Sequence, residues 1–289
     1  MSDLPPVLSV EQLRQLRPAR PLLVDCRFDL ARPDAGRQAW QAGHLPGAVH
    51  ADLDRDLSDL SRVSWGLGRH PLPAVEAWAA TLGRWGWTPD RALIAYDAAG
   101  GAMAAARLWW LARSSGIRQV AVLDGGLPAW QAAGGELDQA APESGSLDTR
   151  LELAWQAGTQ ATAEELTTGV AAGTTVLLDA RAPARFSGEI EPIDAVAGHV
   201  PGALNRSFAL NLDDDGRFRP AAVLRAEFKE LLGGREPGQL VHMCGSGVSA
   251  CHNLLAMEHA GLIGSRLYPP SWSGWISEPR RKIARGSGP

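Results

Sequence analysis

Gly43-His44-Leu45-Pro46-Gly47-Ala48 returns 155 residues later as Gly198-His199-Val200-Pro201-Gly202-Ala203. A second pair precedes these elements. Leu22-Leu23-Val24-Asp25-Cys26-Arg27 is matched, 154 residues on, by Val176-Leu177-Leu178-Asp179-Ala180-Arg181. So long a period marks duplicated domains, since solenoid units run to roughly 20–50 residues. Outward from these anchors, each half alternates short apolar runs with helical patterns. Leu22–Val24, Leu93–Ala95, Val120–Leu123, Val176–Leu178 and Gln239–His242 read as buried parallel strands. Leu72–Trp85, Ala102–Arg113, Ala221–Leu232 and Val248–Ala260 read as the helices between them. The expected fold class is therefore α/β, with two tandem domains, each a parallel sheet flanked by helices. The stretch from Gln139 to Thr149, rich in Gly, Ser, Pro and Asp, is the natural connection. It places the domains at 1–140 and 158–289, with a linker at 141–157.

Composition agrees with two soluble domains. The chain has 289 residues, 45% of them hydrophobic and 21% charged, with 32 Gly and 20 Pro dispersed as turn residues. Its net charge of −4 argues against a nucleic-acid partner, though a few local arginines can still bind a small anion. The start MSDLPPVLSV lacks the features of a secretion signal, and no apolar run is long enough for a membrane span. A cytoplasmic location is expected. Three cysteines, Cys26, Cys244 and Cys251, show no CxxC spacing and suggest neither a disulfide framework nor a zinc site.

Where the repeats differ, the chemistry is concentrated. In the first half an apolar strand leads into Tyr96-Asp97-Ala98-Ala99-Gly100-Gly101 and a helix. The second half has Met243-Cys244-Gly245-Ser246-Gly247-Val248-Ser249-Ala250 at the same place. Asp97 stands where Cys244 stands, so one copy carries a nucleophile and the other does not. The glycines let successive N–H groups of Gly245, Gly247, Val248 and Ser249 converge on one point. The start of the next helix adds up to about 2 kcal/mol of stabilisation for a thiolate or persulfide there. Two other loop readings fit less well. Gly245-Ser246-Gly247-Val248-Ser249-Ala250 satisfies a dinucleotide fingerprint, but Gly264-Ser265-Arg266-Leu267 offers no acidic residue at the ribose position. A cysteine phosphatase needs an arginine six residues after the cysteine, where this chain has Ala250.

The paired D-x-R and G-H-x-P-G-A elements, Leu108-Trp109-Trp110, Leu123-Asp124-Gly125-Gly126 with Trp130, and the Cys244 loop together resemble the tandem-domain rhodanese family. That resemblance covers nearly the whole chain. It implies a silent N-terminal domain and a catalytic cysteine in the C-terminal one. Cys-Gly-Ser-Gly is similar to the loop of the 3-mercaptopyruvate sulfurtransferases, whereas thiosulfate sulfurtransferases place basic residues after the cysteine. The subgroup implies a Ser-His-Asp arrangement, which falls on Ser246, His44 and Asp34 here. It also implies a carboxylate-binding arginine at Arg185 of Arg185-Phe186-Ser187-Gly188. The second arginine expected after Glu191-Pro192 is replaced by Ile193, and the D-G expected before Ser271-Trp272 by Pro269-Pro270.

The implied activity is ping-pong transfer of sulfur through a Cys244 persulfide, from a small anionic donor to a thiol, cyanide or thioredoxin, without metal or organic cofactor. A thiosulfate donor and a non-enzymatic persulfide carrier are the alternatives. Asp25–Arg27 and Asp179–Arg181 are expected as structural ion pairs, and Cys26 as a buried residue. Cys251 is a candidate resolving thiol, and His242 a candidate neighbour of Cys244 on its strand.

Overall fold

The computed structural model describes residues 4–102, 104–142 and 151–288. The core of the expected linker, 143–150, lies outside the described residues. Two compact units emerge. The first comprises Met1–Ser58, Pro73–Gln156 and Asp214–Phe218, and the second Asp59–Leu72, Ala157–Asp213 and Arg219–Pro289. Asp59–Leu72, from the N-terminal repeat, belongs to the second unit, and Asp214–Phe218, from the C-terminal repeat, belongs to the first.

The first unit holds β1 (Val7–Leu8), β2 (Leu22–Asp25), β3 (Val49–His50), β4 (Leu93–Tyr96) and β5 (Val120–Leu123) in the order β1-β5-β4-β2-β3. The second holds β6 (Val176–Asp179), β7 (Leu204–Asn205), β8 (Leu240–Met243) and β9 (Arg266–Leu267) in the order β7-β6-β8-β9. Every pair is parallel. A bridge from Gln160 to Leu267 stands where β1 stands in the first unit. β2, β4, β5, β6 and β8 are buried throughout, which explains their continuous apolar runs.

Local signals set the helix ends. Ser9 with Gln12, and Thr162 with Glu165, form matching capping boxes at the first helix of each repeat. Ala221–Leu232 buries Leu224, Phe228 and Leu232 on one face and stops at Gly233 in the left-handed region. Two helices start later than their apolar patterns suggest. Pro71 and Pro73 keep the chain extended until Val75. Val248 and Ser249 stay in the loop after Cys244, so that helix runs Ala250–His259.

The repeated motifs are one structural device built twice. In the first unit Arg27 Nη2 meets Asp25 Oδ2 at 2.6 Å and donates to the Gly43 carbonyl at 2.7 Å. In the second, Arg181 Nη2 meets Asp179 Oδ2 at 2.7 Å and donates to the Gly198 carbonyl at 2.8 Å. The histidine that follows each glycine stacks on an aromatic ring, His44 on Trp40 and His199 on Phe186. Each Nδ1–H donates to that aromatic residue's carbonyl, at 2.8 and 2.9 Å. Pro46-Gly47 and Pro201-Gly202 then form type II turns, with glycine φ of 78° and 81° and closing bonds of 2.9 and 3.0 Å.

The Asp179–Arg181 pair is almost fully buried, the arginine side chain being 1% exposed and the aspartate 0%. Replacing Arg181 by Met is expected to cost about 3–5 kcal/mol, because it leaves a buried carboxylate unpaired. The matching Arg27→Met change should cost less, since Arg27 is 12% exposed and water can take its place. Equilibrium urea unfolding of the two variants checks the order.

Candidate active site

Cys244 follows the last residue of β8 and precedes the helix Ala250–His259. Its backbone is held on both sides. The amide donates to Ser271 Oγ at 3.1 Å, and the carbonyl accepts from the Trp272 amide at 2.9 Å. Ser271 has φ of +51°, rare for a residue with a side chain, and its hydroxyl also donates to the Tyr268 carbonyl at 3.0 Å. The Pro269-Pro270 substitution has a structural consequence here. A Cβ on Gly247 (φ +78°) would collide with the Pro269 carbonyl, and one on Gly68 with that of Pro270. The Pro-Pro segment therefore packs flush against two glycines.

The loop itself is a ring of donors. The Gly247 amide donates to Cys244 Sγ at 3.2 Å. Among the described residues, the amides of Gly245, Ser246, Val248 and Ser249 have no protein acceptor. Such a cluster suits an anionic sulfur, on Cys244 or one atom beyond it. In the first unit the same frame is filled differently. Asp97 Oδ1 accepts from the amides of Ala99 and Gly101, each at 2.8 Å, and the Asp97 carbonyl accepts from Leu127 at 2.9 Å. A fixed carboxylate thus takes the donors that surround sulfur in the second unit.

Ser246 meets a histidine, but not the expected one. His70 Nδ1 lies 2.8 Å from Ser246 Oγ, and His70 is 4% exposed. His44 is committed to the Trp40 carbonyl and ring of its own motif, as His199 is to Phe186. Asp34 is an exposed residue before the helix Ala35–Ala42, and its side chain makes no cap hydrogen bond. His44 and Asp34 belong to the first unit, and Ser246 to the second. The segment that supplies His70 has no repeat motif, and its only sequence signal was the run Arg69-His70 between glycine- and proline-rich neighbours. The Asp59 amide, at the head of this segment, donates to the Pro71 carbonyl at 3.0 Å and closes it into a loop.

Arg185 lies beside the Cys244 loop at Gly245, and Arg69 lies there with it. A Cβ at Gly245 would come tightly against Arg69 Nη2, at 3.2 Å, and into ordinary contact with Arg185 Nη2 and Nη1, at 3.5 and 3.6 Å, so both guanidinium groups lie beside this glycine. Behind them, Arg185 Nη2 pairs with Glu191 at 2.7 Å and with Asp194 at 3.0 Å, while Arg69 Nη1 pairs with Asp194 at 2.6 Å. Burial acts to raise the Glu191 pKa, but bonds from Arg185 and from the amides of Asp194 and Ile193 hold it below the usual range. Ile193 is largely exposed and brings no cation.

The remaining candidates are embedded in the packing. His242 is fully buried, its Nε2 3.2 Å from Met257 Sδ, and burial and then Arg206 push its pKa down to about 3. It is neutral and faces the helix rather than the sulfur. The buried Cys251 thiol donates to the Gly247 carbonyl at 3.4 Å. Cys26 is fully buried, and burial followed by the nearby Asp97 and Asp25 raises its pKa well above normal. Among the described residues no group of His, Cys, Asp and Glu is arranged to hold a metal. No helix is long and apolar enough to cross a membrane.

These features recur in known proteins. The rhodanese-like domain model matches residues 9–133 and again 162–278. A Pseudomonas aeruginosa protein named a probable 3-mercaptopyruvate sulfurtransferase is 46% identical over 278 residues, covering 92% of each chain. A Mycobacterium tuberculosis protein assigned by name to the thiosulfate sulfurtransferases is 42% identical over 267 residues, covering 92% of this chain and 91% of its own. The solved 3-mercaptopyruvate sulfurtransferase from Leishmania major superposes with a TM-score of 0.82 at 30% identity, covering 94% of this chain and 75% of that one. With two matched domains and one intact cysteine loop, the chain belongs to the tandem-domain rhodanese family of sulfurtransferases.

Proposed function

We propose that the chain takes its sulfur from 3-mercaptopyruvate, holds it as a persulfide on Cys244, and passes it to a small thiol, cyanide or a thioredoxin-like dithiol. The Ser246–His70 hydrogen bond of 2.8 Å carries this reading. Mercaptopyruvate loses its sulfur by breaking a C–S bond, and the electron pair departs as the enolate of pyruvate. That carbon must gain a proton, and the proton on the transferred sulfur must leave. A hydroxyl paired with an imidazole, two residues from the nucleophile, can move it. Thiosulfate releases sulfite directly and has no such need.

The chemistry balances without a redox partner. Cys244 thiolate attacks the donor sulfur, an S–S bond forms, the C–S bond breaks, and pyruvate and a cysteine persulfide result. The loop amides receive the negative charge on the outer sulfur. The unpaired Nη2 of Arg69 and Nη1 of Arg185, both beside Gly245, receive the donor carboxylate. Arg69 thereby supplies the second cation missing at Ile193. Attack by the acceptor's thiolate or by cyanide on the outer sulfur regenerates Cys244. Three cysteines outside any disulfide fit a reducing, cytoplasmic compartment.

Steady-state kinetics with mercaptopyruvate and thiosulfate in parallel, cyanide being the acceptor, test the donor. A higher kcat/KM for mercaptopyruvate is expected; a preference for thiosulfate overturns the reading. Replacing Cys244 by Ser should abolish turnover with either donor while leaving the fold intact. His70→Ala should lower kcat with mercaptopyruvate by about 10²–10⁴-fold, and His44→Ala should act on stability rather than on kcat. Rapid-quench measurement of pyruvate release separates the two histidines.

A further inference from the structure

We propose that Asp194 sets the charge of the donor this site accepts. Its carboxylate lies between the two arginines beside the cysteine loop, with Oδ1 2.6 Å from Arg69 Nη1 and Oδ2 3.0 Å from Arg185 Nη2. The Asp194 side chain is only 3% exposed, so water screens it little. The pairing continues inward. Glu191 bonds Arg185 at 2.7 Å and reaches Arg181 at 3.4 Å, and Arg181 in turn rests on Asp179. Three guanidinium groups, Arg69, Arg181 and Arg185, are thus matched by three carboxylates, Asp179, Glu191 and Asp194.

Two consequences follow for a ligand. The bonds to Glu191 and Asp194 consume the Nε–Nη2 edge of Arg185 and one N–H of Arg69 Nη1, and leave Arg69 Nη2 and Arg185 Nη1 beside Gly245. A single carboxylate gains two directional, charge-assisted hydrogen bonds there. The cluster as a whole, however, offers no surplus positive charge. A second negative charge on the ligand finds donors already balanced and meets the Asp194 carboxylate across the same guanidinium groups. The site therefore selects by excluding the dianion rather than by holding the monoanion more tightly. This inference rests on the reading that Arg69 and Arg185 receive the donor's anionic group.

The test compares charges at constant shape. Oxalate is pyruvate with the methyl group replaced by an anionic oxygen, so the pair isolates the second charge. Isothermal titration of the wild-type protein should show tighter binding of pyruvate than of oxalate; tighter oxalate binding overturns the proposal. Asp194→Asn keeps one oxygen for Arg69 and removes the charge. In that variant the ratio of kcat/KM for thiosulfate to kcat/KM for mercaptopyruvate should rise about tenfold and lose that gain in high salt. An equal fall for both donors means that Asp194 only positions the arginines, which also overturns the proposal. The wild-type titration requires neither variant nor turnover. A protein inactive with mercaptopyruvate would refute the proposed donor, while the order of pyruvate and oxalate would still decide the role of Asp194.

Discussion

The buried pair of Asp179 and Arg181 is the constraint on which the second unit depends. Its guanidinium reaches three ways. It closes on the carboxylate at the end of β6, donates to the Gly198 carbonyl, and lies 4.8 Å from the centre of the Trp272 ring. Trp272 then donates its amide to the Cys244 carbonyl and its indole N–H to Val196. A single ion pair thus fixes the end of one strand, the repeated turn and the backbone of Cys244. Such a pair is expensive to bury and tolerable only with every donor satisfied. Here Arg181 bonds Asp179, Gly198 and Glu191, and Arg27, slightly more exposed, bonds Asp25 and Gly43.

The two units fill the same loop frame in two ways. Each frame ends a buried strand, turns its amides inward and receives an amide from the segment after the neighbouring strand. With Asp97 the donors are satisfied by a carboxylate of the protein's own, as a folded interior demands. With Cys244 only the Gly247 amide reaches the sulfur, and the other loop amides remain available for charge that arrives with the substrate. Ser271, at positive φ in the place of Gly126, shows that strain is accepted where it positions the nucleophile.

Around that loop, attraction and exclusion come from the same residues. Glu191 and Asp194 do not merely neutralise the arginines. They orient them, because a guanidinium bound along one edge presents the other. The buried, balanced cluster gives a small monoanion directional bonds without the field that would draw in every polyanion.

Much of this was legible in the sequence. The 155-residue repeat, the short buried strands and the contrast of Asp97 with Cys244 all follow from local pattern. Local pattern suffices there because strand burial, turn chemistry and the start of a helix are decided by neighbouring residues. The histidine partner of Ser246 was not legible. His44 carries the stronger motif, yet that motif is complete within its own turn, where Trp40 takes both the ring and Nδ1. His70 lies 176 residues before Ser246, in a segment that leaves its own repeat to join the other unit. The same holds for Arg69 and Asp194, 125 residues apart. The sequence alone determined the fold, the nucleophile and the loop that receives charge. Tertiary structure alone brought His70 to Ser246 and Arg69 to Asp194, because a side chain's partner at long range depends on packing that no local pattern encodes.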